Sequence, residues 1–526
     1  MDTKSLINIM KNKLFLSSFA FLSMNNNIMQ KKSMHFLNDF LNPQSIAILG
    51  ANNQYTTFGT FLLMNIISNG YKRNIYPIHL KLDKVLGRKA YKNIADVPEV
   101  PDLVIIVLPP KIVPQVFREC GEKGVKNMVV ISGGFREVTG YKENNLTEEI
   151  CEIAKNYGMR FTGPNCFGFY NAWIDPANGQ IFNMMVFAKQ RKPGKFSLAS
   201  QSGTMTSHIF GDVENHDVDI GKTISVGNEA NMDLVDFLEY FKEDENTNAI
   251  GLYIEEIKRG QKFIEVAKEI TPKKPIVAIY AGGSGAANRA IGSHTGSMAG
   301  NSKIFDAMVK ETGIIKTPYV QEFLDLAGIL SKDEVIYPKG NRLGIITNSG
   351  GPGAMIANNA ERKGLIVPEL SSKLQDKFGK MMAHTASYKN PIDLTFDMNI
   401  FNLYVNIPKT LMRSGEVDAI IIYGIFGFKE RLSFIDESSE VGKYIEMPEQ
   451  MNENDLNNMD KLFIEPIMKV SKKHSIPIFY INPESYANEW SNTIRGYGAN
   501  VFKLWDRPVN ALAKLCEYAE YRRTHS

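Results

Sequence analysis

A histidine surrounded by small residues is the feature of this sequence with the clearest chemical potential. His294 lies in residues 292–300, GSHTGSMAG, and a second small-residue run, AGGSGAA, occupies residues 281–287. Imidazole is a nucleophile near neutral pH, and small neighbours would let a phosphoryl group reach a ring nitrogen. The alternative is an incidental histidine in a glycine-rich surface loop. The first interpretation predicts a loop in which His294 accepts a phosphoryl group.

Two glycine-rich turns favour anion binding. Residues 195–206, KFSLASQSGTMT, and residues 343–354, LGIITNSGGPGA, each combine a short apolar run, a small turn and a helix-like stretch. The free backbone N–H groups at a helix N-terminus bind phosphate without a charged side chain. Plain βα turns look similar, but two of them together with the histidine indicate phosphoryl chemistry.

Short apolar runs alternate with helix-like stretches from residue 45 onward, which predicts parallel sheets with helices on both faces. Ligands of such folds bind beyond the carboxyl ends of the strands. Two of the predicted strands lie near Phe196 and Leu343. The others are residues 45–50, 74–78, 103–108, 127–131, 220–228, 249–254, 275–280, 419–423 and 477–481.

The length of 526 residues predicts about three domains. We expect doubly wound α/β domains at residues 36–170, 171–335 and 336–526, with an insertion in the third near residues 428–460. Residues 1–35 are expected to form a disordered leader. Its apolar run, at residues 14–22, is too short to span a membrane.

The composition narrows the class of protein. The apolar content of 44% and the charged content of 22% are ordinary for a globular chain. A net charge of +3 gives no indication of nucleic-acid binding. The four cysteines are far apart and form no CxxC motif, so neither a disulfide framework nor a metal site is predicted. We expect a cytoplasmic protein that binds no membrane.

Six motifs follow one another along the chain: GPNCFG at 163–168, SQSG at 200–203, SVGNEA at 225–230, SHTG at 293–296, TNSGGPG at 347–353 and NPIDL at 390–394. With these motifs, residues 36–515 closely resemble the α subunit of the ADP-forming acyl-CoA synthetases, or acetate–CoA ligases, of the succinyl-CoA synthetase superfamily. The resemblance implies a Rossmann-like CoA-binding domain followed by two flavodoxin-like CoA-ligase domains. It also implies the reaction acyl-CoA + phosphate + ADP ⇌ carboxylic acid + CoA + ATP, through an acyl phosphate and a phosphohistidine.

The resemblance assigns roles to individual residues. His294 matches the phosphohistidine, and Glu255 matches the acid that holds it, with the adjacent Glu256 as a rival. The residues that match the two phosphate-binding turns are Ser200, Gln201, Ser202, Gly203, Ser349, Gly350, Gly351 and Gly353. The residues expected to contact coenzyme A, a substrate, are Gly50, Ala51, Asn52, Asn53, Lys81, Asn165 and Cys166. Cys166 is expected to be packed rather than nucleophilic.

The resemblance also implies a partner. Fused members of the family carry an ATP-grasp domain that binds ADP and Mg²⁺, and three α/β units leave no room for one in this chain. We therefore expect a separate ATP-grasp β subunit in an α2β2 assembly. Tyr280 stands where the family usually has lysine, which favours an acyl group other than acetate. The alternative function is a non-catalytic protein that binds CoA or acyl-CoA for regulation, but such a sensor needs no phosphoacceptor.

Overall fold

The computed structural model describes residues 36–137, 145–185, 188, 192–294, 302–395, 399, 401–424, 453–483 and 488–525. The leader expected over residues 1–35 lies outside this set. Most of the insertion expected near residues 428–460 also lies outside it. In the described part of the chain, no helix combines the length and the apolar character that crossing a membrane requires.

Most of the strands belong to three sheets. In chain order they are β1 (Ser45–Leu49), β2 (Asn74–Ile78), β3 (Lys84–Val85), β4 (Arg88–Lys89), β5 (Leu103–Ile106), β6 (Asn127–Val130), β7 (Arg160–Thr162), β8 (Gly168–Asp175), β9 (Gln180–Asn183), β10 (Phe196–Ser200), β11 (Ile220–Ser225), β12 (Ala249–Ile254), β13 (Ile276–Tyr280), β14 (Ile315–Thr317), β15 (Leu343–Thr347), β16 (Ile392–Asp393), β17 (Ala419–Tyr423), β18 (Ile478–Ile481) and β19 (Asn500–Phe502).

Helices connect most of these strands. In chain order the α-helices are α1 (Leu37–Leu41), α2 (Phe58–Ser68), α3 (Val113–Lys123), α4 (Leu146–Tyr157), α5 (Gly203–His208), α6 (Leu234–Glu243), α7 (Gly260–Ile270), α8 (Gly285–His294), α9 (Ser302–Thr312), α10 (Val320–Leu330), α11 (Gly350–Arg362), α12 (Ser372–Gly379), α13 (Ile407–Ser414), α14 (Glu453–His474), α15 (Glu489–Gly496) and α16 (Asp506–His525).

The three sheets share one strand order. The first sheet runs β2-β1-β5-β6-β7, and the third runs β16-β15-β17-β18-β19. The parallel part of the second sheet runs β11-β10-β12-β13-β14. Numbered within each sheet, all three are 2-1-3-4-5, an order found in doubly wound folds. The α/β fold with parallel sheets that the sequence predicts is therefore confirmed.

The central strands are apolar because helices cover both faces of each sheet. Every residue of β1, β10 and β15 is buried. These three strands occupy the same position in their sheets. The two glycine-rich turns noted in the sequence follow β10 and β15, and Gly50 follows β1. The common fold thus places these three turns at the carboxyl ends of equivalent strands.

An antiparallel hairpin extends the second sheet. β8 pairs with β11, and β9 pairs with β8, both antiparallel. The sequence did not indicate strands there, because polar residues such as Asn171 and Asp175 interrupt the apolar pattern. Residue 170, the expected end of the first domain, falls inside β8. The hairpin therefore belongs structurally to the second sheet.

Aromatic and charged contacts join the units. Phe169 of β8 makes edge contacts with Phe40 of α1 and Phe237 of α6, at ring-centroid distances of 6.1 and 6.4 Å. On the other side, the buried Asp325 of α10 accepts a hydrogen bond from Arg507 of α16 and lies 2.7 Å from the Nδ1 atom of His216. The second unit is thus fixed to both of its neighbours.

Candidate functional site

The carboxyl ends of four parallel strands meet at one edge of the second sheet. Ser200, at the end of β10, is in register with Ser225 of β11 and Tyr253 of β12. Ile254 of β12 is in register with Tyr280 of β13. The turns that follow these strands therefore lie side by side. Three of them contain the SQSG motif, the SVGNEA motif and the pair Glu255-Glu256.

Gln201 connects these turns through its side-chain amide. Its Oε1 atom accepts hydrogen bonds from the backbone N–H groups of Glu255 and Glu256, at 2.5 and 3.1 Å. Its Nε2 atom donates to the Glu229 carboxylate at 2.8 Å and to the Glu256 carbonyl at 2.7 Å. One side chain from the β10 turn thus joins the β11 and β12 turns.

Glu229 is a buried acid with internal partners. Its second carboxylate oxygen accepts a hydrogen bond from the Leu234 N–H at 2.9 Å. Burial raises the pKa of the Glu229 carboxyl, and the neighbouring Lys258 ammonium opposes that rise. Lys258 donates to the carbonyls of Asn228 and Glu229 at 2.8 and 2.6 Å, and burial lowers the pKa of its amine. The β11 and β12 turns are therefore also joined from the Lys258 side.

Glu255 is buried immediately beyond β12, with 7% of its surface exposed, and Glu256 is half-buried.

The expected loop around His294 is wrong for residues 292–294, because α8 continues to His294. Ser284 explains the helix: its hydroxyl accepts a hydrogen bond from the Ala287 N–H and so caps the first turn. The His294 side chain and residues 295–301 lie outside the described residues, so its contact with Glu255 stays a prediction.

The four residues of the SQSG turn divide into two pairs. Ser200 and Gln201 are buried, and the Ser200 hydroxyl donates to the Ser202 carbonyl at 2.8 Å. Ser202 and Gly203 are partly exposed at the start of α5. The Ser202 hydroxyl caps α5 by accepting a hydrogen bond from the Met205 N–H at 3.3 Å. Ser202 and Gly203 are thus accessible at the start of α5, whereas Ser200 and Gln201 are packed within the protein.

The turn after β15 has a similar form. Thr347 accepts a hydrogen bond from the Ser349 N–H and donates one to the Ser349 carbonyl, each at 2.9 Å. α11 then begins at Gly350; Gly350 and Gly351 are exposed, and Gly353 is buried against Thr347. The first N–H groups of an α-helix have no partner within the helix and suit an anion.

Asp393 is a further candidate for the site, with no role assigned to it from the sequence. A Cβ built on Gly350 would lie 3.1 Å from the Asp393 carboxylate, so this acid borders the amino end of α11. It ends β16, in register with Thr347. Its position as the last polar residue of the NPIDL motif, at a strand end, was the signal available in the sequence.

A cleft of about 650 Å³ opens at the carboxyl edge of the first sheet. Gly50, Asn52 and Lys81 line it, together with Leu108 and other apolar residues. Gly50 has φ of +102°, and a Cβ there would lie 2.0 Å from the Val107 carbonyl oxygen. Three residues predicted to bind CoA thus share a cleft whose apolar walls and lysine suit a nucleotide-like ligand.

The other residues predicted to bind CoA lie elsewhere. Ala51 is buried in the core. Asn53 fixes the β3–β4 segment, because its side chain accepts from the Leu86 N–H at 2.9 Å and donates to the Lys84 carbonyl at 3.2 Å. Cys166 is fully packed: burial raises the pKa of its thiol to about 12, and the thiol donates to the Val130 carbonyl. Ala51 and Cys166 are therefore packed in the interior, and the exposed Asn53 has its side chain bonded to the β3–β4 segment.

Asn165 lies between the cleft and the Gln201 junction. Its N–H donates to the Ser132 carbonyl at 2.9 Å, and the Ser132 hydroxyl accepts from the N–H of Leu108, a residue of the cleft wall, at 3.0 Å. Its side-chain amide donates to the side chain of Asn228, the residue before Glu229. Hydrogen bonds thus link the wall of this cleft to Asn228, and the adjacent residue Glu229 is bonded to Gln201.

Comparisons with known proteins agree with this geometry. Residues 44–172 match a family described as a CoA binding domain, and residues 193–330 match one described as a succinyl-CoA ligase like flavodoxin domain. The chain is 39% identical over 386 residues to the α subunit of ADP-forming acetate–CoA ligase II from Pyrococcus furiosus, covering 73% of this chain and 81% of that protein. The chain belongs to the family of ADP-forming acid–CoA ligase α subunits.

Other members show the extent of the likeness. The ADP-forming acetate–CoA ligase of Methanocaldococcus jannaschii is 38% identical over 356 residues, which cover 68% of this chain and 48% of that protein. A structure of acetyl-coenzyme A synthetase 1 from Candidatus Korarchaeum cryptofilum, in complex with phosphate and ADP, has a TM-score of 0.74 and 28% identity, and covers 93% of this chain and 97% of that one. The resemblance inferred from the six motifs is confirmed, as is the fold class.

Proposed function

We propose that this chain is the catalytic α subunit of an ADP-forming acyl-CoA synthetase and that His294 carries the phosphoryl group. Inorganic phosphate attacks the thioester carbonyl of acyl-CoA, which forms an acyl phosphate and releases CoA as a thiol. A nitrogen of His294 then attacks the phosphorus, which forms phosphohistidine and releases the carboxylate. ADP finally accepts the phosphoryl group and becomes ATP.

The observation that carries this proposal is the junction at Gln201. A single amide there joins the turns of β10, β11 and β12. They contain the SQSG turn and Glu255, to which the resemblance assigns phosphoryl chemistry, and the SVGNEA motif. Glu255 belongs to this junction and is buried, which suits an acid that orients an imidazole and stabilises its charged form. The hydrogen bonds through Asn165 extend the junction to the CoA cleft.

Phosphate is proposed to bind between two helix ends. Ser202 and Gly203 would supply backbone N–H groups from α5, and Gly350 and Gly351 would supply them from α11. Backbone dipoles fixed before the reaction stabilise a transferring phosphoryl group without reorganisation. Asp393 limits the negative charge that the α11 end can hold, which would favour release of the phosphoryl group after transfer.

We further propose an ATP-grasp β subunit as the partner, in an α2β2 assembly, with ADP and Mg²⁺ bound on that partner. The α-subunit name of the Pyrococcus furiosus relative supports a partner of this kind. A reducing cytoplasm suits the four cysteines, all of which lie in the described part of the chain as free thiols.

The domain limits proposed for the chain stay near residues 170 and 335, with the β8–β9 hairpin assigned to the second domain.

The test is reconstitution. The purified chain is mixed with its candidate ATP-grasp partner, acyl-CoA thioesters, ADP, Mg²⁺ and phosphate, and ATP is measured. We expect ATP only when both proteins are present. ATP formation by this chain alone would contradict the two-subunit assignment. CoA binding with no phosphorylation of the chain under any condition would instead support a regulatory CoA-binding protein.

A further inference from the structure

We propose that Gln201 is a positioning residue for Glu255 and not a ligand of phosphate, and that the buried Glu229 orients its amide. The inference rests on the proposed function, because Glu255 matters only if it assists the phosphorylation of His294. It reassigns Gln201 within the turn, from the surface that receives phosphate to the scaffold that holds the acid.

The hydrogen-bonding capacity of Gln201 is fully used within the protein. A glutamine amide has two N–H groups and an oxygen with two lone pairs. The oxygen accepts from the Glu255 and Glu256 N–H groups, and the nitrogen donates to the Glu229 carboxylate and the Glu256 carbonyl. Only 8% of the residue is exposed. Its backbone N–H is also engaged, with the Tyr253 carbonyl at 3.2 Å. No donor on Gln201 is left for phosphate.

Glu229 determines which way the Gln201 amide points. Both Glu229 oxygens act as acceptors, one for the Leu234 N–H and one for the Gln201 Nε2 group. If the amide were reversed, its oxygen would face the Glu229 carboxylate and its NH₂ group would face the N–H groups of Glu255 and Glu256. Both contacts would be repulsive. The buried carboxylate therefore fixes the orientation in which Gln201 holds the Glu255 turn.

The same turn is held independently on its far side. Lys258 donates to the carbonyls of Asn228 and Glu229, and Arg259 donates to the Asp233 carboxylate. Loss of the Gln201 amide should therefore leave the chain folded while the near side of the turn, which carries Glu255, becomes less ordered. A displacement of about 1 Å at a catalytic group lowers a rate by roughly 10²-fold.

The experiment compares the rate of phosphohistidine formation in the full-length chain and its variants. Each protein is mixed with inorganic phosphate and the thioester that phosphorylates the wild type fastest, and the adduct is followed by intact mass. We expect Gln201→Ala to lower the maximal rate roughly 10²-fold with the KM values for phosphate and acyl-CoA unchanged. The exposed Gln261→Ala is the matched control and should behave as the wild type.

An exchange of the two side chains tests the orientation. Gln201→Glu places two carboxylates together and should be at least as slow as Gln201→Ala. In Glu229→Gln, the new NH₂ group would face either the Gln201 NH₂ group or the Leu234 N–H. Phosphorylation of this variant should therefore also be slow. The double variant Gln201→Glu/Glu229→Gln restores three of the four contacts of the original amide and should recover a rate about tenfold above Gln201→Glu. If Gln201→Ala does not fold, the comparison of the double variant with Gln201→Glu still tests the role of Gln201.

Three results would overturn the inference. They are a Gln201→Ala rate equal to that of the wild type, a higher KM for phosphate at an unchanged maximal rate, and an exchanged variant no faster than Gln201→Glu. A wild type that forms no adduct would instead overturn the proposed function, so the two failures are distinguishable.

Discussion

The side-chain amide of Asn165 donates a hydrogen bond to the side-chain oxygen of Asn228, with the two atoms 3.4 Å apart. Asn165 follows the last strand of the first sheet, and Asn228 follows β11 of the second. Asn228 in turn donates to the Glu137 carboxylate at 2.6 Å. Asn165, which the resemblance assigns to CoA binding, is therefore joined directly to the turn that contains the buried Glu229.

Glu255 and Glu256 should differ sharply as catalytic groups. Glu255→Gln removes the charge that would stabilise the His294 imidazolium, so we expect histidine phosphorylation to slow by about 10²- to 10⁴-fold. Glu256→Gln should change the rate by less than about threefold, because its backbone, not its carboxylate, contacts Gln201. The two variants serve as controls for each other. A larger loss of rate in Glu256→Gln than in Glu255→Gln would identify Glu256 as the acid that assists His294.

Gly50 should be intolerant of any side chain. Gly50→Ala forces a Cβ against the Val107 carbonyl at a positive φ, so we expect it to lower the free energy of unfolding by about 3 kcal/mol and to abolish CoA binding. Gly260→Ala, at the start of α7 with open space around it, should leave both properties near those of the wild type. Urea unfolding and CoA titration check the pair.

Cys166 should be chemically inert in the folded chain. Burial raises the pKa of its thiol to about 12, so the protonated, unreactive form dominates until the pH approaches that value. Iodoacetamide at neutral pH should therefore label Cys166 only after unfolding, and Cys166→Ala should still form the phosphohistidine. Loss of the adduct in a folded Cys166→Ala chain would indicate a direct role for the thiol.

The preferred acyl group should be larger than acetyl. Tyr280 stacks on Phe305 with ring centroids 4.2 Å apart, and both border an apolar cleft of about 350 Å³ beside Glu256. A panel of acyl-CoA thioesters with the reconstituted complex should favour an acyl group with apolar surface. A clear preference for acetyl-CoA over every larger thioester would refute this expectation.

Strands with continuous apolar sequence could be located from the sequence almost to the residue. β12 and β17 begin and end at the predicted residues, because burial of nearly every residue on both faces imposes an uninterrupted apolar run. The three-residue strand β14 and the hairpin strand β8 could not be found in this way. β14 is too short to show a pattern, and β8 is stabilised by pairing with β11, which lies far away in sequence.

Candidate residues of the site could be identified from local sequence, but the contacts between them could not. The small-residue turns and Glu255 are local signals. The role of Gln201 depends on Glu229, Glu255 and Glu256, which are 28, 54 and 55 residues distant. Such contacts exist only once the second sheet is assembled. The helix that continues to His294 depends instead on a local contact. Ser284 caps its first turn, and the segment is helical although its small residues are typical of a loop.

Phosphorylation of His294 tests the central claim most directly. The purified chain is incubated with acyl-CoA and phosphate, and its intact mass is measured before and after acid treatment. We expect one acid-labile phosphoryl group on the wild type and on the control His384→Ala, and none on His294→Ala, which should still bind CoA. An adduct that persists in His294→Ala would contradict the account, because the phosphoryl acceptor would then be another residue.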